Sequence, residues 1–131
     1  MILLDSHAWV WWISDPSLLS TRSRRAIEGA AENNAVWVSC ISAWEIALLA
    51  KRGRLRLKME VAEWIKRSEQ LPFLYFIPVD NAAAVKSVHL SEPFHDDPAD
   101  RIIVATAIVR DVPLVTKDEK IRRYRAVQTL W

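Results

Sequence analysis

Short apolar runs of strand length alternate with stretches of helical periodicity along the whole chain. No other feature restricts the fold as much. Residues 2–4, 35–39, 74–77 and 114–116 read as strands. Residues 7–13, 22–32, 42–51, 61–70, 81–90 and 99–110 read as helices, with a short one over 118–124 and a last edge strand within 127–130. The punctuation agrees with this reading. Asp15-Pro16 breaks the first helix, Gly53 ends the third, Pro72 closes the fourth and Pro98 sits at the first turn of the sixth. Strands alternating with helices predict an α/β fold with right-handed crossovers and a parallel sheet covered on both faces. In such sheets ligands bind beyond the carboxyl ends of the strands.

Composition removes several alternatives. With 131 residues, 51% of them apolar, the chain is long enough for one core, and a single domain over 1–131 is expected. Two glycines are too few for a glycine-rich phosphate loop or a dinucleotide fingerprint, so any handling of phosphate falls to side chains and metal. The net charge of +2 permits nucleic-acid binding without arguing for it. The single cysteine, Cys40, excludes an internal disulfide, suits a reducing cytoplasm and reads as core filler. The run Trp9-Val10-Trp11-Trp12-Ile13 is too short to span a bilayer, so a soluble, untargeted chain with no membrane partner is expected.

Four acidic residues fall where a site would form. Asp5 ends the first strand, Glu45 lies in the first turn after the second, and Asp118 follows the fourth. Asp100 opens a helix whose same face carries Ile103, Val104 and Ala107, a costly place for an unpaired carboxylate. Each also has an ordinary explanation. Asp5 caps a helix. Ser42-Ala43-Trp44-Glu45 and Thr116-Lys117-Asp118-Glu119 have the spacing of capping boxes. Asp97 is an N-cap, and Asp100 is favoured by the helix dipole. Together, converging carboxylates repel unless a divalent cation neutralises them, and all-oxygen ligation favours Mg²⁺ or Mn²⁺. His7, His89 and His95 show no metal-ligand spacing and read as surface or structural residues.

At these residues the chain resembles the PIN domain and, within it, the VapC toxins of bacterial toxin–antitoxin pairs. The segments that carry the likeness are Ile2-Leu3-Leu4-Asp5-Ser6-His7, Ile41-Ser42-Ala43-Trp44-Glu45-Ile46-Ala47 and Gly53-Arg54-Leu55. It continues through His95-Asp96-Asp97-Pro98-Ala99-Asp100-Arg101, Ile103-Val104-Ala105-Thr106-Ala107 and Leu114-Val115-Thr116-Lys117-Asp118. The resemblance implies a three-layer α/β/α sandwich around a parallel sheet of four to five strands. It implies an Mg²⁺- or Mn²⁺-dependent endoribonuclease, a homodimer and a cognate antitoxin. The family's acidic quartet falls on Asp5, Glu45, Asp100 and Asp118, with Asp5 and Asp100 holding the main metal. Asp97 matches a recurrent position and is kept as a cap. Ser6 stands where the family often has Thr, and Thr116 matches the hydroxyl before the last aspartate.

For substrate, the basic stretch Lys51-Arg52-Gly53-Arg54-Leu55-Arg56-Leu57-Lys58 is a candidate backbone contact, Lys51, Arg52 and Arg54 above all, with Thr116, Ser6 and Arg101, which could instead pair with a neighbouring acid, nearer the acids. A solvated loop is the ordinary fate of such a charge run. Of seven tryptophans most are expected in the core, with Trp11 and Trp12 as candidates for a protein interface. A haloacid-dehalogenase phosphatase is disfavoured because His7 stands where a second Asp is needed, and a receiver domain because paired acids are lacking near the first strand. A non-catalytic RNA- or protein-binding module is the remaining alternative.

Overall fold

A computed structural model describes every residue from Met1 to Trp131. Its strands are β1 (Ile2–Leu4), β2 (Val36–Ser39), β3 (Leu74–Ile77), β4 (Leu114–Val115) and β5 (Thr129–Leu130). They form one sheet in the order β3-β2-β1-β4-β5, and every neighbouring pair is parallel. The helices are α1 (Ser6–Ser14), α2 (Thr21–Glu32), α3 (Cys40–Lys51), α4 (Val61–Glu69), α5 (Asn81–Val88), α6 (Pro98–Arg110) and α7 (Glu119–Arg122).

Side-chain alternation along the strands divides the core into two layers. Ile2 and Leu4 of β1 point into a cluster with Trp9 of α1, Ile27 of α2, Ile46 of α3 and Trp64 of α4. Leu3, between them, points the other way, into a cluster with Ile103 and Val104 of α6, Ile121 of α7 and Val127. The result is the expected three-layer α/β/α sandwich, with near-continuous apolar strands because both faces are covered. The chain builds outward from β1 to β2 and β3, then returns to place β4 on the other side of β1. Such a reversal opens a crevice beyond the carboxyl ends of β1 and β4. No helix is long and apolar enough to cross a membrane.

Three local expectations need correction. Cys40 is exposed, because β2 stops at Ser39 and Cys40 becomes the first residue of α3. Helix α3 therefore begins earlier than residue 42, and Glu45 stands in its second turn. Only Trp9 and Trp64 among the tryptophans are buried. Trp11, Trp12 and Trp131 pack half-exposed at the edge of one core layer, Trp37 at the edge of the other, and Trp44 is exposed. Gly53 follows the last turn of α3 at φ 71°, a conformation only glycine adopts without cost, and so ends that helix as expected.

Candidate active site

A cleft of about 560 Å³ opens at the crevice between β1 and β4. Asp5, Glu45, Asp100 and Asp118 all line it, and Asp97 joins them. Ser6, His7, Trp11 and Lys117 complete its wall.

Helix starts hold most of these carboxylates in place. Asp5 leaves β1 and caps α1, with Oδ1 accepting the Ala8 N–H at 2.8 Å. Asp97 caps α6 by accepting the Asp100 N–H at 2.9 Å. Asp118 caps α7, with Oδ1 accepting from Lys120 N at 2.8 Å. In each case the bonds to the backbone use Oδ1, and the side chain still lines the cleft. A capping bond and a place in the cleft wall thus coincide at the same residue. For Glu45 the capping explanation fails. Ser39, not Ser42, caps α3, accepting from Ile41 N at 3.2 Å. Ser42 is buried and accepts the Ser6 hydroxyl at 2.9 Å, so Glu45 is released from capping and turns to the cleft. The box at Thr116 is likewise displaced, since Asp118 is the cap and Thr116 Oγ1 accepts the Asp118 N–H at 3.1 Å.

The concentration of like charge is visible in the acidities. Burial pushes the Asp100 carboxyl up to about 8, reinforced by the charges of Asp97, Glu45, Asp118 and Asp5. The Asp5 carboxyl is also raised, chiefly by burial. The Thr116 hydroxyl, the Ala8 amide and the His7 charge oppose that rise, and Glu45 adds to it. His95 Nε2 lies 3.3 Å from Asp100 Oδ2, close enough for ionic attraction but off the angle a hydrogen bond needs.

Glu45, Asp97 and Asp100 bring one carboxylate oxygen each within 4.8 Å of one another. An all-oxygen set of this charge fits a hard divalent cation, and the upward push on Asp100 is the strain such a cation would relieve. Asp5 and Asp118 border this tight group from the same cleft. Sequence reasoning set Asp97 aside as a cap. Its capping bond through Oδ1 is present as expected, and its side chain lines the cleft as well.

The other expected contacts divide. Ser6 lines the cleft through a buried side chain. Thr116 is fully buried, and its Oγ1 accepts the Asp118 N–H. Arg101 is turned elsewhere. Its Nε donates to Ser87 O at 2.9 Å and its Nη1 to Phe94 O and His95 O at 3.1 Å, while the guanidinium lies 5.9 Å from the centroid of the Phe94 ring. Its role is to fasten the segment between α5 and α6, because a fork-shaped donor can satisfy several carbonyls at once. Lys51, Arg52 and Arg54 are exposed at the end of α3 and do not line the cleft. His7, Trp11 and Lys117, which do line it, were not singled out together by the sequence.

The PIN domain family model matches residues 2–127. The chain belongs to the PIN-domain family. Within that family it is a close homologue of the VapC toxins. It is 37% identical over 132 residues to "Ribonuclease VapC22" of Mycobacterium tuberculosis (strain ATCC 25618 / H37Rv), covering 99% of this chain and 98% of that protein. Among solved structures it is similar to VapBC2 from Rickettsia felis, bound to a DNA fragment from its promoter. That match has a TM-score of 0.72 and 18% identity, over 99% of this chain and 98% of the other. FitAcB from Neisseria gonorrhoeae matches with a TM-score of 0.66 and 23% identity, over 100% and 97% of the two chains.

Proposed function

We propose that the protein is an Mg²⁺- or Mn²⁺-dependent endoribonuclease and the toxin of a bacterial toxin–antitoxin pair. One observation carries the chemistry: five carboxylates share one cleft, and burial, reinforced by the charges of the other four, pushes Asp100 up to about 8. Purely structural caps have no need to converge in this way. The 37% identity with a ribonuclease over nearly its full length supports RNA as the substrate.

In this reading Asp5, Glu45, Asp100 and Asp118 form the metal site, with Asp97 as a fifth donor beside Glu45 and Asp100. A divalent cation there supplies Lewis-acid charge that makes water more acidic and offsets the negative phosphate. Water adds at phosphorus, the P–O bond to the leaving nucleoside breaks, and the departing oxygen takes a proton. The protein's part is positional: the Ala8, Asp100 and Lys120 amides fix one oxygen of each capping carboxylate, and Thr116 Oγ1 fixes the backbone at Asp118. Ser6 stands at the wall of the cleft. Lys51, Arg52 and Arg54 hold the phosphate backbone outside it, at the end of α3. The chain works as one domain over 1–131, as a homodimer under a cognate antitoxin, in the cytoplasm.

The test is cleavage of RNA by the purified protein with Mg²⁺, with Mn²⁺ and with excess EDTA. Cleavage that requires either ion and stops in chelator is expected. Undiminished cleavage in EDTA would remove the metal from the mechanism. RNA binding without cleavage under every ion would make the protein a non-catalytic binding module.

A further inference from the structure

The cleft wall has one hydrophobic side chain, Trp11, among charged and polar groups. Trp11 lies on α1 four residues beyond His7, so the two share a helix face. Their rings are 5.7 Å apart between centroids and tilted by 51°. Lys117 Nζ stands 5.7 Å from the centroid of the Trp11 ring. Trp131 also meets Trp11 edge-on, with centroids 6.0 Å apart, and packs against the indole. Both His7 and Lys117 are exposed, and Lys117 lies directly between Thr116 and Asp118 in the chain.

We propose that Trp11 is a stacking platform for an unpaired base of the RNA strand beside the scissile phosphate, with Lys117 as the point charge for a neighbouring phosphate. The inference rests on the nuclease reading above and adds to it how the strand is held. Every nucleobase offers a flat π-face to an indole, so this contact asks for single-stranded RNA without asking for a sequence. A cleft lined mainly by carboxylates repels a phosphate chain, and a braced aromatic ring supplies attraction that does not depend on charge. His7 extends the aromatic wall towards solvent, where the strand enters.

The experiment compares the full-length wild type with Trp11→Phe and Trp11→Leu. Phe keeps a ring, and Leu keeps apolar bulk but no flat face, so both pack against Trp131. Two readouts are taken: KM and kcat for a single-stranded RNA with Mg²⁺, and the Kd for that RNA by anisotropy in an Asp5→Asn background. Trp11→Leu is expected to raise KM and Kd by about 5- to 100-fold, the range for losing one base–aromatic stack. Its kcat should stay within about threefold, and Trp11→Phe should recover most of the loss. Replacing the bases of the substrate one at a time with abasic sites should reveal one position at which wild type is weakened and Trp11→Leu is not. Equal KM and Kd for all three proteins would overturn the platform while leaving the nuclease intact. If wild type cleaves nothing, the nuclease reading fails, and the anisotropy series alone decides Trp11: weaker binding for Leu supports it, and equal binding ends it.

Discussion

Asp100 sits among buried Ile103, Val104 and Ala107 with four acids around it, and its carboxyl is pushed up to about 8. In the unfolded chain the same group loses its proton near 3.8. Between these values the folded state binds the extra proton. Stability from this group is therefore complete below about pH 4 and declines until about pH 8, where the folded carboxyl also ionises. Asp100→Asn removes the dependence. Thermal melts in EDTA from pH 5 to 9 should show a gap in favour of the variant that widens with pH and levels off above roughly pH 8. Its size at high pH should be several kcal/mol, with a ceiling set by about 1.4 kcal/mol per pH unit across that window. If Asp100 served only the dipole of α6, the variant would instead lose about 0.3–1 kcal/mol. At Asp5 the outcome separates fold from chemistry. Asn can still accept the Ala8 N–H, so Asp5→Asn should melt within about 1 kcal/mol of wild type. Cleavage should fall by about 100-fold or more, since the amide lacks the charge a hard cation needs. A folded Asn variant with full activity would remove Asp5 from the site.

At helix α6 the anchoring by Arg101 is measurable. Its guanidinium holds the Ser87 carbonyl in α5 and the Phe94 and His95 carbonyls of the segment that follows, and Lys cannot reach all three with one ammonium group. Arg101→Lys should cost about 1–3 kcal/mol in denaturant unfolding, because buried carbonyls lose partners. KM for RNA should not change, whereas a substrate contact at Arg101 would raise it. The same helix shows what was legible in the sequence and what was not. Pro98 and the apolar face over 103–107 announce α6, and Asp97-Pro98 announces its cap, because those signals are local. Where the Arg101 side chain goes depends on Ser87, fourteen residues away, and no periodicity encodes that. Helix α3 illustrates the same limit. Ser39 and Ser42 are both good caps by composition, and the end of β2 decides between them. Asp5, Asp100 and Asp118 were readable as candidates because each follows a strand or opens a helix, and Glu45 because it lies near the end of β2, although it stands a turn deeper in α3 than its spacing predicts. Trp11 was not, since its neighbour Lys117 arrives from β4 across the sheet.

As a whole the molecule is a sheet whose central strand, β1, delivers Asp5 beside the β4 exit that delivers Asp118. Carboxylates of α3 and α6 would hold a cation only in the folded chain, so its binding free energy would add to global stability. Mg²⁺ or Mn²⁺ at about 100 times its Kd should stabilise wild type by about 2.7 kcal/mol, and Glu45→Gln should show a smaller gain at the same concentration. Differential scanning calorimetry with and without EDTA reads both, and an equal gain in the two proteins would exclude Glu45 from the site. The capping bonds of Asp5, Asp97 and Asp118 have a genetic consequence. On the reading proposed above, a host cell that selects for loss of the protein's activity accepts any inactivating change, including those that merely unfold it. A screen that also demands soluble protein meets a narrower set. Alanine at these positions silences the site and frees a helix end together, whereas asparagine silences it alone. Soluble, inactive survivors should therefore carry Asn at Asp5, Asp97 and Asp118 far more often than Ala, while at Glu45, which caps nothing, Ala and Gln should be recovered alike.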